Sequence, residues 1–294
     1  MANSSAPTIL VTGATGNTGR PLLRFLQGRG VNVRAMIRRD TDPARLGDST
    51  ATIVVGDFDD PASLSAALAG VSRAYLVTPS SADAESQQIR FAELAAAAGV
   101  THLVKLSQFA ADEASPVRFL RYHARVERRI RELGIDYTFI RPNLYFQGLL
   151  GFAGLIAKTG RFFAPIGEAR VSAIDVRDIA AVAAITLTEP GHAGQTYTVT
   201  GPAAITHAEM AQAIGTAIKR EVTFVDVPPE QFAAALQQLG MPPWQIEGLV
   251  EDYAHYRRGE AAMVSDAVRV LTGTEAHHIR RFADDYAHAF QSPA

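Results

Sequence analysis

Apolar positions follow two alternating rhythms through the first half of the chain. Short, nearly continuous runs rich in Val, Ile, Leu or Tyr occupy residues 8–12, 32–37, 52–55, 74–77, 102–106 and 137–140. Runs of this length without polar alternation predict strands buried on both faces. Between them, residues 19–27, 61–68, 84–98 and 116–133 carry longer helical patterns. Strand and helix repeated in this order predict a parallel sheet with crossover helices.

The rhythm loosens after Pro142. Residues 143–167 are rich in aromatics and glycines and fit neither period. A helix is predicted over 174–187, entered through Asp175, and strands over 196–199 and 222–227. Thr206 and Glu209 stand in the Thr-x-x-Glu spacing of a capping box, which marks a helix start. Three helical stretches follow at 230–239, 244–258 and 276–290, with Pro228, Pro229, Pro242 and Pro243 between them. The expected fold class is α/β: a Rossmann-like, doubly wound parallel sheet with a smaller, mostly helical C-terminal substrate region. Residues 1–142 would form the NAD(P)-binding domain, with segments near 174–199 returning to it. Residues 143–294 would form the smaller substrate or partner region.

Composition narrows the function. The formal net charge is −2, without the basic excess of a polyanion binder, so no nucleic-acid partner is expected. There is no cysteine, which excludes disulfides, thiolate metal sites and cysteine nucleophiles and fits a reducing, cytoplasmic setting. No apolar run approaches the ~20 residues of a bilayer span, so no membrane partner is expected. A homodimer stays open. No metal site is expected, because the adjacent His277 and His278 diverge on a helix.

The most informative stretch is Thr8-Ile-Leu-Val-Thr-Gly-Ala-Thr-Gly-Asn-Thr-Gly-Arg-Pro. It sets Gly13, Gly16 and Gly19 between a strand and a helix. Gly13 permits the tight turn, Gly16 lets backbone approach a pyrophosphate, and Gly19 lets the helix pack closely. The helix N-terminus, with Thr15, Asn17 and Thr18 in the loop, then faces the phosphates with free N–H groups. Arg38 ends the second strand where NAD-binding folds place a carboxylate for the ribose 2′-hydroxyl. A guanidinium there suits a 2′-phosphate, so NADP(H) is expected over NAD(H). Asp40 could still reach the ribose. Asp57 and Phe58 follow the third strand near the expected adenine; an N-cap role is the alternative for Asp57, one that Asp60 fills better ahead of Pro61. Thr78 and Pro79 follow the fourth strand. Ser107, His123, Pro142 and Asn143 complete the expected cofactor contacts.

On these residues the chain resembles the NmrA-like group of atypical short-chain dehydrogenases. The resemblance also rests on Gly56-Asp57, Lys105-Leu-Ser-Gln108, the run from His123 to Pro142, Ile174-Asp-Val-Arg-Asp-Ile-Ala180 and Thr198-Val-Thr-Gly-Pro202. It implies NADPH-dependent reduction of quinones, azo dyes or triphenylmethane dyes, or a cofactor-sensing regulator with a protein partner. The family's usual dyad is a Tyr with a Lys four residues later. Here those positions hold Phe119 and His123, so the expected proton donor is missing, while Ser107 matches the family serine. His123 could bind nicotinamide-ribose hydroxyls, relay a proton, or pair structurally with Glu127. His123, Ser107 and Tyr145 are the catalytic candidates. Phe109, Tyr145, Phe146, Phe152, Phe162, Phe163 and Trp244 either line a pocket for a flat aromatic or quinone-like acceptor, with Asn143 and Tyr145 as polar anchors, or are plain core. Arg125, Arg128, Arg129 and Arg131 alternate with Glu127 and Glu132 and read as a solvated helix face.

Overall fold

A computed structural model describes residues 6–291. The first half runs β1 (Thr8–Val11), α1 (Gly19–Leu26), β2 (Asn32–Ile37), β3 (Thr52–Val55), α2 (Pro61–Leu68), β4 (Arg73–Leu76), α3 (Ala84–Ala97), β5 (His102–Leu106), α4 (Arg118–Glu132) and β6 (Asp136–Pro142). Then come α5 (Ala153–Thr159), β7 (Arg161–Ala164), α6 (Val176–Thr188), β8 (Gln195–Val199), α7 (His207–Ile218) and β9 (Thr223–Asp226). The chain ends with α8 (Pro229–Gln238), α9 (Pro243–Arg257), α10 (Ala267–Thr272) and α11 (Ile279–Asp285).

Two compact units emerge. One comprises the described residues up to Glu113 with Tyr122–Arg141 and Ile179–Tyr197; the other comprises Ala114–Arg121, Pro142–Asp178 and the described residues from Thr198 onward. The larger sheet has the order β3-β2-β1-β4-β5-β6-β8, and β1 pairs in parallel with both β2 and β4. Ile9, Leu10 and Val11 of β1 and Ala74, Tyr75 and Leu76 of β4 are fully buried, which is why these runs carry no polar alternation. β3 departs from that expectation. It lies at the sheet edge, and Ile53 and Val55 are exposed, because an edge strand lacks a neighbour on one side.

The second unit holds a two-stranded parallel pair, β7 with β9, in register from Arg161 opposite Thr223 to Ala164 opposite Asp226. Sequence reading left β7 and α5 inside an irregular segment. The expected final helix over 276–290 is shorter: α11 ends at Asp285, and a 3-10 turn covers Ala287–Phe290. Helix α7 starts as expected. The Thr206 side chain accepts from Glu209 N at 3.1 Å, and the Glu209 carboxylate accepts from Thr206 N at 2.7 Å. Thr206→Ala should therefore lower stability by about 1 kcal/mol in urea unfolding. An unchanged midpoint would show that α7 is held by packing alone.

Candidate functional site

Strand order reverses at β1, which lies between β2 and β4, and ligands in open α/β sheets bind at such a switch point. Thr12 fixes this point. Its hydroxyl donates to the Tyr75 and Val77 carbonyls at 3.0 Å and accepts from Val77 N at 2.9 Å. Gly13 follows with φ +56°, and a Cβ there would lie 2.6 Å from Val77 Cγ1. The turn closes by Gly16 N donating to Gly13 O at 2.9 Å. At Gly19 a Cβ would run into the Gly13 carbonyl and lie 2.8 Å from Ala14 Cα. Only glycine lets α1 begin against that turn.

The loop fits a dinucleotide phosphate. Gly16 and Asn17 are exposed, Thr15 is half-buried, and a Cβ on Gly16 would meet only Gly13 O within 4 Å, at 3.1 Å. Thr18 is buried at the N-cap of α1 and makes no side-chain cap bond; Arg20 N donates to Gly16 O at 3.2 Å and Pro21 has no N–H, so the loop amides from Thr15 to Gly19, Gly16 apart, are the donors that face a phosphate here. Arg38 projects from the end of β2 with its side chain 67% exposed, and its Nε lies 3.6 Å from Asp40 Oδ1. Asp60, not Asp57, caps α2 by accepting from Ala62 N and Ser63 N. Asp57 accepts from Asp59 N at 3.0 Å. The Phe58 ring packs on Phe91 at 5.7 Å. Thr78 accepts a bond from buried Gln88 at 2.8 Å, and Pro79 is exposed.

A second group of residues lies where β5 meets α4. Lys105 is fully buried in a strand that is otherwise apolar but for His102. Its Nζ donates to Leu106 O at 3.2 Å and lies 2.7 Å from His123 Nδ1. Burial pushes Lys105 down to about 7; Glu127 opposes this and Arg141 adds to it. Burial also holds His123 well below its ordinary value, with Lys105 and Arg141 acting in the same direction. Glu127 does not bond His123. Its carboxylate accepts from Ser107 Oγ at 2.6 Å, from Arg141 at 2.9 and 2.6 Å, and from Arg131 at 3.2 Å. Burial would raise the Glu127 carboxyl, but these bonds outweigh it and hold it low. The Tyr122 ring packs on the His123 ring at 4.2 Å, and its hydroxyl lies 3.3 Å from Ser80 Oγ. Sequence reading missed Lys105, Glu127 and Arg141 as a connected group. The available signal was a lysine inside a strand predicted to be buried.

The arginines of α4 divide. Arg128 and Arg129 form exposed pairs with Glu113, Glu132 and Glu93, and Arg125 pairs with Glu85. Arg131 instead reaches buried Glu127 and lies 4.8 Å over the Phe139 ring, so it belongs to packing as much as to the solvated face.

In the second unit Pro142 and Asn143 are buried. Asn143 donates to Ser172 Oγ and Ala261 O, both at 2.9 Å, and accepts from Leu144 N at 2.8 Å. Both its N–H donors are spent on packing, so it fastens loops rather than offering an open anchor. Tyr145 is half-buried and bridges Ile174 through its backbone. Phe146 and Phe162 are core, as is Phe109 in the first unit. Phe152, Phe163 and Trp244 remain half-buried. Phe119 is buried with its ring 5.3 Å from Trp244 and fills the space beside Gly248. His277 pairs with Asp178, which raises its pKa.

The profile of the NmrA-like family matches residues 5–275. The chain belongs to the NmrA-like family. It is 37% identical over 282 residues to an NAD(P)H azoreductase from Xenophilus azovorans, covering 96% of this chain and 99% of that protein. It is 36% identical over 285 residues to a (4-alkanoyl-5-oxo-2,5-dihydrofuran-3-yl)methyl phosphate reductase from Streptomyces griseus, covering 96% and 99%. Among solved structures, an NADPH-dependent quinone oxidoreductase from Escherichia coli, complexed with NADPH, matches with a TM-score of 0.83 at 26% identity. The match covers 94% of this chain and 99% of that one. Among the described residues of this NmrA-like chain, no helix is long and apolar enough to cross a membrane.

Two outcomes follow from the site geometry. Gly16→Val should abolish binding of NADPH and NADH alike while leaving the unfolding midpoint unchanged, because its side chain would stand where phosphate must approach. A folded variant with wild-type affinity in calorimetry would place the cofactor elsewhere. The second concerns Lys105, which titrates near 7 when folded and at its ordinary 10.5 when unfolded. Between those values the unfolded chain binds more protons, so this group makes stability rise with pH. Urea unfolding at about pH 7, 8.5 and 10 should show that rise in wild type and its loss in Lys105→Met. Equal slopes for the two proteins would mean that Lys105 keeps its ordinary pKa.

Proposed function

We propose that this chain is an NADPH-dependent reductase that passes hydride to a quinone-like or dye-like aromatic acceptor. The observation that carries the reading is the glycine turn at the strand switch point, with an uncapped α1 N-terminus and the exposed Arg38 guanidinium. The reductase relatives support it over a cofactor-sensing role. NADPH, when bound, supplies the hydride. The chain's own part is to hold the phosphates at Gly13–Gly19, the 2′-phosphate at Arg38 and the adenine near Asp57 and Phe58. Thr78 and Pro79 follow β4, Ser107 follows β5, and His123 reaches Lys105 from α4; on this reading these four border the nicotinamide end of the cofactor. On this reading residues 1–142 form the cofactor-binding domain, the stretch near 174–199 returns to it, and residues 143–294 form the substrate region with Tyr145. The protein acts in the cytoplasm, in keeping with a chain without cysteine. Whether it works as a homodimer is decided by sedimentation.

Phe119 in place of a tyrosine also bears on the substrate. Reduction of a simple ketone needs a proton donor at the oxygen, whereas a quinone or cationic dye can take its proton later or need none. Positioning then supplies much of the rate.

The test pairs binding with turnover. Arg38→Ala should weaken NADPH binding by roughly 1.5–3 kcal/mol, the worth of a charged hydrogen bond, and leave NADH nearly unchanged in calorimetry. Wild type should oxidise NADPH in the presence of a small quinone panel, followed at the NADPH absorbance band. Equal losses for both cofactors in Arg38→Ala would remove the 2′-phosphate assignment. Tight NADPH binding without turnover of any quinone or azo dye would contradict the reductase reading.

A further inference from the structure

Reduction of a quinone to its hydroquinone consumes one proton for each hydride, and Phe119 cannot provide it. We propose that His123 delivers this proton and that Lys105 is a positioning residue that stores it and recharges His123; the assignment rests on the reductase reading above.

The geometry gives His123 two different ends. Nδ1 lies 2.7 Å from Lys105 Nζ inside the protein. Nε2 has no side-chain hydrogen-bond partner among the described residues, and His123 as a whole keeps 8% of its surface exposed. One end is therefore committed to a buried amine, and the other is the end assigned to the acceptor. The Lys105 amine has no surface exposure, so the imidazole is its contact with the outside.

Electrostatics keeps the pair singly protonated near neutrality. Both groups are pushed below their ordinary values, first by burial, and two positive charges 2.7 Å apart in a dry site are costly. The charged groups facing the pair are Glu127 from α4, which favours the ammonium, and Arg141 from β6, which opposes it. Glu127 is itself engaged by Arg141, Ser107 and Arg131, so it tempers the pair without competing for its proton. Ser107 donates to Glu127 and is thereby turned away from the role of acid.

Acceptor, NADPH and one proton give reduced acceptor and NADP+, with both electrons carried by the hydride. The His123 Nε2–H bond breaks as an O–H or N–H bond forms on the acceptor. The Lys105 ammonium gives a proton to Nδ1, leaving a neutral amine and a neutral imidazole of the opposite tautomer. After product leaves, a proton from solvent adds to Nε2, and the Nδ1 proton returns to Lys105. The starting state is restored, and that solvent proton is the one the net reaction consumes.

The experiment joins a titration of the apoprotein to kinetics with NADPH and 1,4-naphthoquinone. In wild type the Lys105 side-chain carbon signal should titrate near 7, with the His123 ring neutral until the pair has taken its first proton. In Lys105→Met the His123 pKa should rise, because a neighbouring positive charge is gone. The pH break in kcat near neutrality should vanish, and kcat should fall at least about tenfold, a modest share of the ~10²–10⁴-fold a general acid supplies. KM for NADPH should stay within about twofold, as expected when only the chemical step is touched. If Lys105→Met does not fold, His123→Gln serves instead. The amide preserves an acceptor for Lys105 but cannot pass a proton, and the same loss of the pH break is expected. Turnover with an unchanged pH profile in a folded variant, or a wild-type Lys105 signal titrating near its ordinary value, overturns this assignment alone. No turnover by wild type overturns the reductase reading and the assignment with it.

Discussion

Two stretches of backbone must touch for this site to exist. Helix α1 starts against the turn that leaves β1, and a single methylene at Gly19 would push it off Ala14 Cα and the Gly13 carbonyl. With that contact made, α1 starts at the strand switch point, and the Thr18 side chain does not cap it. Thr12 adds the matching constraint from the other side by binding β1 to β4 at the level of the turn. The phosphate cradle is therefore a consequence of absent side chains and of one threonine hydroxyl. It needs no cation of its own, since oriented amides and the helix dipole already favour an anion.

The end of β5 is governed by a different balance. A buried carboxylate is stable only if its partners outweigh lost hydration, and Glu127 meets that condition with a bidentate Arg141, Ser107 and Arg131. Removing one partner from such an arrangement typically costs about 3–5 kcal/mol, because the charge that remains has no water to return to. Lys105 is treated less generously. Its hydrogen-bond partners are a histidine and one carbonyl, and even with Glu127 favouring the ammonium they do not offset burial in full. The outcome is a tightly held carboxylate beside an amine poised near neutrality. The same dry environment thus gives one residue a structural role and the other a titratable one.

Much of this was readable from the chain. The core strands β1, β2 and β5 were marked by short apolar runs, α7 by its capping residues, and the phosphate loop by three glycines in the right context. Legibility failed where a residue's meaning depends on distant partners. The four residues of β7 form a strand only because β9 pairs with them some way along the chain. Asn143 looked like an open anchor but spends its donors on Ser172 and Ala261. His123 and Glu127, one helical turn apart, suggested a local pair. Instead each turns to a different strand partner, Lys105 for one and Arg141 for the other. Side-chain periodicity identifies which residues share a helix face, and it does not identify what the opposing strand presents to them.

In the proposed function, hydride leaves a dinucleotide held by the glycine turn and reaches an aromatic acceptor. The most direct measurement is the primary kinetic isotope effect on single-turnover quinone reduction, with NADPH deuterated in turn at each face of nicotinamide C4. Transfer should be slower for one labelled face only. Equal rates for both labelled faces and unlabelled NADPH, in a protein that binds the cofactor, would contradict it.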